Sequence, residues 1–394
     1  MEIVSKNSSN VWKEYAIKDI GTVVTGNTPP KKDPENYGGN LVWIKPPDLD
    51  KKMFVSSSEE SISEIGRKKV RLLPKGSVLV SCIGNIGKLA IADCELCTNQ
   101  QINSIIPNED IVDSVFLYYT IKRMKFYLEK IASSAVVPLL NKNDFSKIKI
   151  KIPSIETQKK IVEILEKTEK LKHWRSEAGK LAEEYLKCVF FEMFGDPVKN
   201  EKGWKKVKLS ELGTWKSGGT PSRQKKEFFT GNIPWYTSGE LNNMYISDSV
   251  ENITEEAIEN SNAKLIKPNY LLLGMYDTAA LKSSITTINS SCNQAIAYSK
   301  LENNYSNIIY VYFAIQIGRK FFMSRQRGIR QKNLNLTLVK DTEIPLPPLQ
   351  LQNQFANIVE QFEEIKNYQT QSKEQLNNLF NTLMQKAFKG ELVC

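Results

Sequence analysis

Histidine is almost missing from this chain. One residue, His173, stands among 394. A Ser-His-Asp site would have that single base available, and it lies in a long helical segment away from any nucleophile motif. Cysteine is scarce as well, with six residues, and only Cys94-Glu95-Leu96-Cys97 has metal-like spacing. A structural zinc site needs four ligands, so small thiols in a reducing compartment are the better reading. No apolar run approaches the roughly 20 residues needed to cross a bilayer. The opening residues carry no signal-peptide pattern, and the expected address is the cytoplasm, with no membrane partner. Acidic residues are outnumbered, 44 against 54 Lys and Arg, which leaves a net charge of +10. Such an excess favours a polyanion through phosphate neutralisation and counterion release.

Catalytic motifs are missing too. An adenine methyltransferase needs an Asn-Pro-Pro-Tyr-like tetrapeptide for the flipped base and a Gly-rich cofactor loop. The pairs Pro29-Pro30, Pro46-Pro47 and Pro347-Pro348 follow Thr28, Lys45 and Leu346, so none fits. Residues Gly84-Asn85-Ile86-Gly87-Lys88-Leu89 resemble a phosphate loop but fall short of its spacing and end in Leu where a hydroxyl must hold magnesium. A strand turn is the better reading. Pro47-Asp48 followed by Asp50-Lys51-Lys52 crowds its carboxylates too closely for a nuclease. We therefore expect no catalytic residue, no metal and no cofactor.

What is present is a duplication. Trp12-Lys13 returns as Trp204-Lys205, and the offset holds without a gap for 38 positions, 12 of them identical. Gly26-Asn27-Thr28-Pro29 matches Gly218-Gly219-Thr220-Pro221, Trp43 matches Trp235, and Leu49 matches Leu241. Farther on, Asn99-Gln100 pairs with Asn293-Gln294 and Ile152-Pro153 with Leu346-Pro347. A period near 190 residues far exceeds a solenoid repeat of about 20–50. It suits a whole domain plus a helix, and a duplicated domain builds a pseudo-dimer. Each unit has enough chain for its own core.

Residues 12–153 read as mixed α/β. Apolar runs at 78–80 and 148–152 are strands between Gly, Pro and Asn turns, and 115–131 has helical spacing, with its counterpart at about 308–323. After Pro153 and after Pro347-Pro348 come Gly-poor segments whose apolar positions step by three and four. The first has Ser154 as N-cap and stops at Gly195; the second stops at Gly390. The seam predicted for the first is Ile161, Ile164, Thr168, Leu171, Arg175, Ala178, Ala182, Tyr185 and Val189. Each has a partner 194 residues on, from Phe355 to Leu383. This rhythm of about 3.5 residues predicts a coiled coil, and about 40 residues make a rod of roughly 60 Å. The expected class is α+β: two pseudo-symmetric globular domains, 1–153 and 197–347, separated by an antiparallel pair of long helices, 154–196 and 348–394.

The string 209–241 and its copy 17–49 resemble the opening of target-recognition domains in specificity subunits of type I restriction–modification enzymes. The Asn-Gln pairs and the domain-ending Ile150-Lys151-Ile152-Pro153 and Pro345-Leu346-Pro347-Pro348-Leu349, each before a long helix, extend the resemblance over nearly all of residues 11–390. It implies two recognition domains that read the halves of a bipartite double-stranded DNA target. It also implies helices that dock two methyltransferase subunits, with restriction and translocase subunits joining them. This chain departs from the family's Pro-Pro-Leu-x-Glu-Gln helix start, having Pro347-Pro348-Leu349-Gln350-Leu351-Gln352 and Ser154-Ile155-Glu156-Thr157-Gln158.

Base edges are read by polar side chains, whereas Lys and Arg on phosphates set register. The two Thr-Pro loops lead into Lys31 and Lys32 in one copy and into Arg223, Lys225 and Lys226 in the other. Arg67, Lys68, Lys69 and Arg71 form a further basic run. The densest, Arg319, Lys320, Arg325, Arg327, Arg330 and Lys332, is interleaved with Gln326, Gln331 and Asn333. Its counterpart in the first domain offers Asn141, Lys142 and Asn143. Trp43 and Trp235 are expected in the core. Trp174, Leu186, Phe190, Phe191 and Phe380 flank the seam as apolar candidates for methyltransferase docking. Two rival readings are a stand-alone pseudo-dimeric DNA-binding protein, which needs no helical partner face, and a scaffold whose globular ends bind proteins.

Overall fold

A computed structural model describes residues 12–132, 137–276, 279–324 and 334–392. The chain forms two compact units: 1–174 with 373–394, and 175–372. Each therefore takes part of both long helices.

In each unit the first strand returns to the last. Lys13–Ala16 pairs antiparallel with Lys149–Ile152, and Lys206–Lys208 with Glu343–Pro345. Lys149 and Lys151 face solvent while Ile150 and Ile152 are buried, the period-two pattern of a half-covered strand. Between these closing strands lies a five-stranded sheet. Its order in the first unit is Gly21–Thr25, Ile102–Pro107, Val78–Ser81, Leu89–Ala92 and Phe54–Val55. The second repeats that order with Lys216–Ser217, Ile296–Ser299, Leu271–Gly274, Ser283–Thr286 and Tyr245–Ile246. All neighbours are antiparallel except the last pair in each sheet. The strands Val78–Ser81 and Leu271–Gly274 are buried throughout, because helices cover one face and a smaller sheet the other. That smaller sheet holds Trp43 and Trp235, each only 2% exposed, as expected of core anchors. Each backbone N–H donates to a serine hydroxyl, Ser58 at 3.0 Å and Ser249 at 3.2 Å.

The segment 115–131 is two helices, Ser114–Arg123 and Lys125–Ile131, where one was expected. Met124 leaves the helical region with ψ near 1°. The copy, Ile308–Ser324, runs without a break.

The long helices are Ile155–Phe194 and Leu349–Lys389. Gly195 and Gly390 terminate them at φ of 75° and 78°, left-handed positions that glycine takes without a Cβ penalty. Each start is fixed by a buried glutamine. Gln158 accepts from the Asp113 N–H at 2.9 Å and donates to the carbonyls of Ile111 and Pro153, both at 2.9 Å. Gln352 accepts from Asn307 N–H at 2.8 Å and donates to Tyr305 and Pro347 at 3.1 and 2.8 Å. All four positions of this bracket recur 194 on: Gln and Pro are kept, while Asp113 becomes Asn307 and Ile111 becomes Tyr305, which contribute only backbone groups to it.

The buried stripe corrects the predicted seam. Leu171, Tyr185, Ile365 and Leu379 are 46, 52, 47 and 46% exposed. The inward positions are Ile161, Val162 and Leu165, then Leu186, Val189, Phe190 and Phe194. On the second helix they are Phe355, Ala356 and Val359, then Phe380, Met384 and Ala387. A straight α-helix drifts by about 20° per heptad against a 3.5 repeat, and these helix ends pack into domain cores. The first unit's core takes Ile161, Val162, Leu165, Phe380, Met384 and Ala387. The second takes Leu186, Val189, Phe190, Phe194, Phe355, Ala356 and Val359. In the second unit the helices run antiparallel: Tyr185 stacks on Phe362 at 5.2 Å, and Phe194 meets Phe355 at 5.4 Å.

The same packing corrects three docking candidates. Leu186, Phe190 and Phe380 are 7, 0 and 7% exposed, because each fills its unit's core. Trp174 and Phe191 remain on the surface, at 56 and 43%.

Candidate nucleic-acid interface

Sheet register brings distant loops to one end of each five-stranded sheet. In the first unit Thr25 lies opposite Asn103, and Ile102 lies opposite Ser81. Three segments therefore meet there: the Gly26-Asn27-Thr28-Pro29 loop, the Asn99-Gln100 turn and the hairpin turn after Ser81. Gly26 N–H donates to Ile102 O at 3.1 Å, and Cys82 N–H donates to Gln101 O at 2.8 Å. A fourth segment joins through Leu140 N–H to Cys82 O at 2.8 Å and Gly84 N–H to Pro138 O at 2.9 Å. The Gly84–Gly87 stretch is thus a turn between antiparallel strands, as expected.

The second unit repeats the assembly. Gly218 N–H donates to Ile296 O at 3.0 Å, Met275 N–H to Ala295 O at 2.8 Å, and Leu334 N–H to Met275 O at 2.7 Å. The Thr-Pro loops are pinned alike. Thr28 Oγ1 donates to Gln100 Oε1 at 2.5 Å, and Thr220 donates to Gln294. A Cβ on Gly26 would lie 2.2–2.3 Å from atoms of Thr98 and Asn99, and one on Gly218 2.3–2.5 Å from Cys292 and Asn293. That close approach, with no positive φ, explains the glycines. Their loops touch the Asn-Gln turn backbone to backbone.

Charge is arranged differently in the two units. Asn27 donates to Lys69 O at 2.6 Å and accepts from Arg71 N–H at 3.0 Å, while the Arg71 guanidinium donates to Thr25 O at 2.6 Å. The Thr-Pro loop and the basic run 67–71 are consequently one surface. Lys31, Lys32, Lys68, Lys69 and Arg71 are exposed on it. Lys69 approaches Asp33 at 3.8 Å, and Arg67 is paired with Glu95. In the second unit Arg223 makes a two-pronged bond to Glu251, at 2.6 and 2.8 Å, and lies 4.4 Å from the Phe229 ring centroid. This bond holds the Glu251 carboxyl below its ordinary value and raises Arg223. Lys225 sits 4.8 Å over Phe228, and Lys226 is exposed.

Asn141 is taken up as a helix cap. It accepts from Asp144 N–H at 2.9 Å and donates to the Asp144 carboxylate at 2.7 Å. Lys142 and Asn143 follow it, both exposed. Arg325, Arg327, Arg330, Gln331, Lys332 and Asn333 lie outside the described residues. Their flanks are anchored at the same sheet end: Leu334 as above, and Arg319 through Nε to Ala280 O at 2.7 Å.

Sequence reasoning named these cations but missed two things. It did not join the two basic segments of the first unit, which sit about 40 residues apart and meet through the Asn27 bonds, the Arg71–Thr25 bond and the approach of Lys69 to Asp33. It also passed over the hairpin turn as scenery, although Gln316 donates to Leu281 O at 2.9 Å to hold that turn in the second unit. Burial pushes the Cys82 and Cys97 thiols up to about 12, which leaves them unreactive. Among the described residues no group of His, Cys, Asp and Glu is placed to hold a metal ion, and no helix is long and apolar enough to cross a membrane.

A duplicated α+β unit with matching loop clusters and two long helices defines a class. The chain belongs to the type I restriction–modification specificity family: the "Type I restriction modification DNA specificity domain" matches residues 10–182 and again 201–378. It is 27% identical over 405 residues to the type I restriction enzyme MjaIX specificity subunit of Methanocaldococcus jannaschii, covering 97% of this chain and 93% of that one. It is 38% identical over 166 residues to the HindI specificity subunit of Haemophilus influenzae, covering 40% and 36%. The crystal structure of the type I S subunit from M. genitalium shares the fold, with TM-score 0.58, 15% identity and 98% of each chain covered. A chain from a structural study of complex assembly in the type I R-M system superposes with TM-score 0.63 at 17% identity, covering 97% and 98%.

Proposed function

We propose that this chain is the non-catalytic, DNA-reading specificity subunit of a cytoplasmic type I restriction–modification complex. The domains 1–153 and 197–347 each read one half of a bipartite double-stranded site. The spacer helices, 154–196 and 348–394, dock two methyltransferase subunits, to which restriction and translocase subunits are added. One observation carries the reading: both units bring the same four segments to the same sheet end, on the same backbone bonds, and then decorate them with different charges. A shared scaffold under dissimilar cations suits two readers of dissimilar half-sites. Chemistry is assigned to the partner subunits, since the chain carries no flipped-base tetrapeptide. Trp174 and Phe191 are the docking residues favoured by exposure.

The test is to map methylated adenines in cells carrying the chain with its methyltransferase. The expected pattern is two short fixed words separated by an unspecified gap. Replacing residues 1–153 by another recognition domain should change one word alone. Methylation by the isolated chain, or a swap that changes both words, refutes the assignment. Binding to a bipartite duplex without any methyltransferase in the complex would favour the stand-alone reading instead.

A further inference from the structure

The helix that abuts the first unit's hairpin turn carries an exposed ring. Phe126 is 79% exposed, the highest value among the described aromatic residues, and Tyr127 beside it is 48% exposed. Left in water, such a ring forgoes the stabilisation that burial would give. The residues around it are basic: Lys122, Arg123, Lys125 and Lys130 against Glu129 within 122–130. Two of these are engaged by the long helices. Lys122 meets Glu169 at 3.1 Å, and Arg123 lies 5.5 Å from the Phe388 centroid. Lys125 and Lys130 are exposed, with no carboxylate partner among the described residues.

The internal repeat places this ring at the loop end of the sheet. A Cβ on Gly87 would touch Lys125 at 3.0 Å, so the helix starts against the hairpin turn. In the second unit the same register position is Arg319, bonded to that unit's hairpin turn at Ala280. The following residue is Phe126 in one unit and Lys320, also exposed, in the other. The approach of helix to hairpin turn is kept and the next residue is exchanged, a ring for a cation.

We propose that Phe126 is a DNA-stacking residue of the first unit, which rests on and opens a base step of its half-site while Lys125 and Lys130 hold the flanking phosphates. Apolar rings framed by cations are how proteins part a base step. The apolar centre of a protein contact is instead depleted of charge. The inference rests on the DNA-reading function proposed above.

The experiment uses the full chain assembled with its methyltransferase subunits and a duplex carrying 2-aminopurine at successive positions of each half-site. The wild type should raise fluorescence at one step of the first half-site. Phe126→Ala should abolish that rise and weaken binding by roughly tenfold, with the salt dependence unchanged. Phe126→Trp should restore both. Lys125→Gln should instead lower the slope of log K against log salt by about 0.9. Unaltered fluorescence and affinity in Phe126→Ala, with Lys31→Gln still weakening binding, overturns the proposal and leaves the function standing. Loss of a methyltransferase subunit in Phe126→Ala overturns it in favour of a protein contact. A wild-type complex that binds no duplex overturns both.

Discussion

Replacing Gln158 by Leu is the most direct trial of how each unit grips its helix. Leucine keeps much of the volume but removes one acceptor and the two-proton donor. The Asp113 N–H and the carbonyls of Ile111 and Pro153 then lose their partner in a place where Gln158 is fully buried. An unsatisfied buried group costs about 1–3 kcal/mol, and a carbonyl with a second lone pair suffers less than an amide. The sum expected is about 2–4 kcal/mol of local stability. Because the chain has two units, a single unfolding free energy is ill defined, so hydrogen exchange read by peptide is the right assay. At about 1.4 kcal/mol per decade, exchange in peptides covering 111–117 and 155–165 should quicken roughly 30- to 900-fold. Peptides of the second unit should stay at the wild-type rate. Gln352→Leu should give the mirror result, with peptides near 305–311 and 349–359 affected. Acceleration below about threefold in both variants would refute the view that these glutamines, and not the apolar stripe alone, fix the helix starts.

Gly26→Ala puts a methyl 2.2–2.3 Å from Thr98 and Asn99, an overpacking that costs about 1–3 kcal/mol; genome-wide methylation mapping should show the first half-site word lost and the second kept. Lys31→Gln with Lys32→Gln should reduce the salt slope of binding by about 0.9 per phosphate contact, while Lys13→Gln, on the closing strand, should leave it alone. Trp174→Ala and Phe191→Ala should stay within about 0.5 kcal/mol of wild-type stability yet release methyltransferase on copurification. Phe190→Ala should instead cost the second unit about 3–5 kcal/mol, read as faster hydrogen exchange in that unit's peptides. Burial, helped by Asp113 and Glu169, raises the Glu166 carboxyl. An acid raised on folding stabilises the folded state only while protonated, so stability should fall as pH rises through its folded value. Glu166→Gln should remove that slope and raise the first unit's stability at pH 7, by less than about 1 kcal/mol for so exposed a group.

How much of this was legible beforehand depended on whether a property is local. The helix stops were, because Gly195 and Gly390 follow unbroken helical spacing and sit at positive φ. So were Trp43 and Trp235, large apolar residues kept at one offset in strands. The seam was legible as a helix and misread as a register. Tyr185 and Leu186 are neighbours that differ by 100° around the axis, and only the core they approach decides between them. Phe190 and Phe380 failed for the same reason. Each lies in a helix that follows one domain in sequence and fills the core of the other repeat's domain, an exchange no periodicity records. Asn141 was read as a free amide because capping geometry needs the backbone turn that follows it. Gln158 and Gln352 were noticed only as fragments of a motif, since their partners lie about 45 residues away across a domain.

The repeat explains why fold and specificity can vary separately in one chain. Three features that recur in both units are backbone requirements: the glutamine bracket, the Thr–Gln bond and the glycine that lets a loop reach the Asn-Gln turn. None of these fixes which side chains stand on the loops. Arg71 is bound to the carbonyl of Thr25 before the Thr-Pro loop, and Arg223 is clamped by Glu251 over an aromatic ring. These two solutions orient a guanidinium on the same scaffold in unlike ways. If reading resides in such orientation, Glu251→Gln should keep the second unit folded, since the pair lies at the surface, with side chains 54 and 37% exposed. It should relax the second half-site word in a methylation map, leaving the first intact. A word unchanged under Glu251→Gln and also under Arg223→Ala would place recognition elsewhere on that sheet end, as on the hairpin turn.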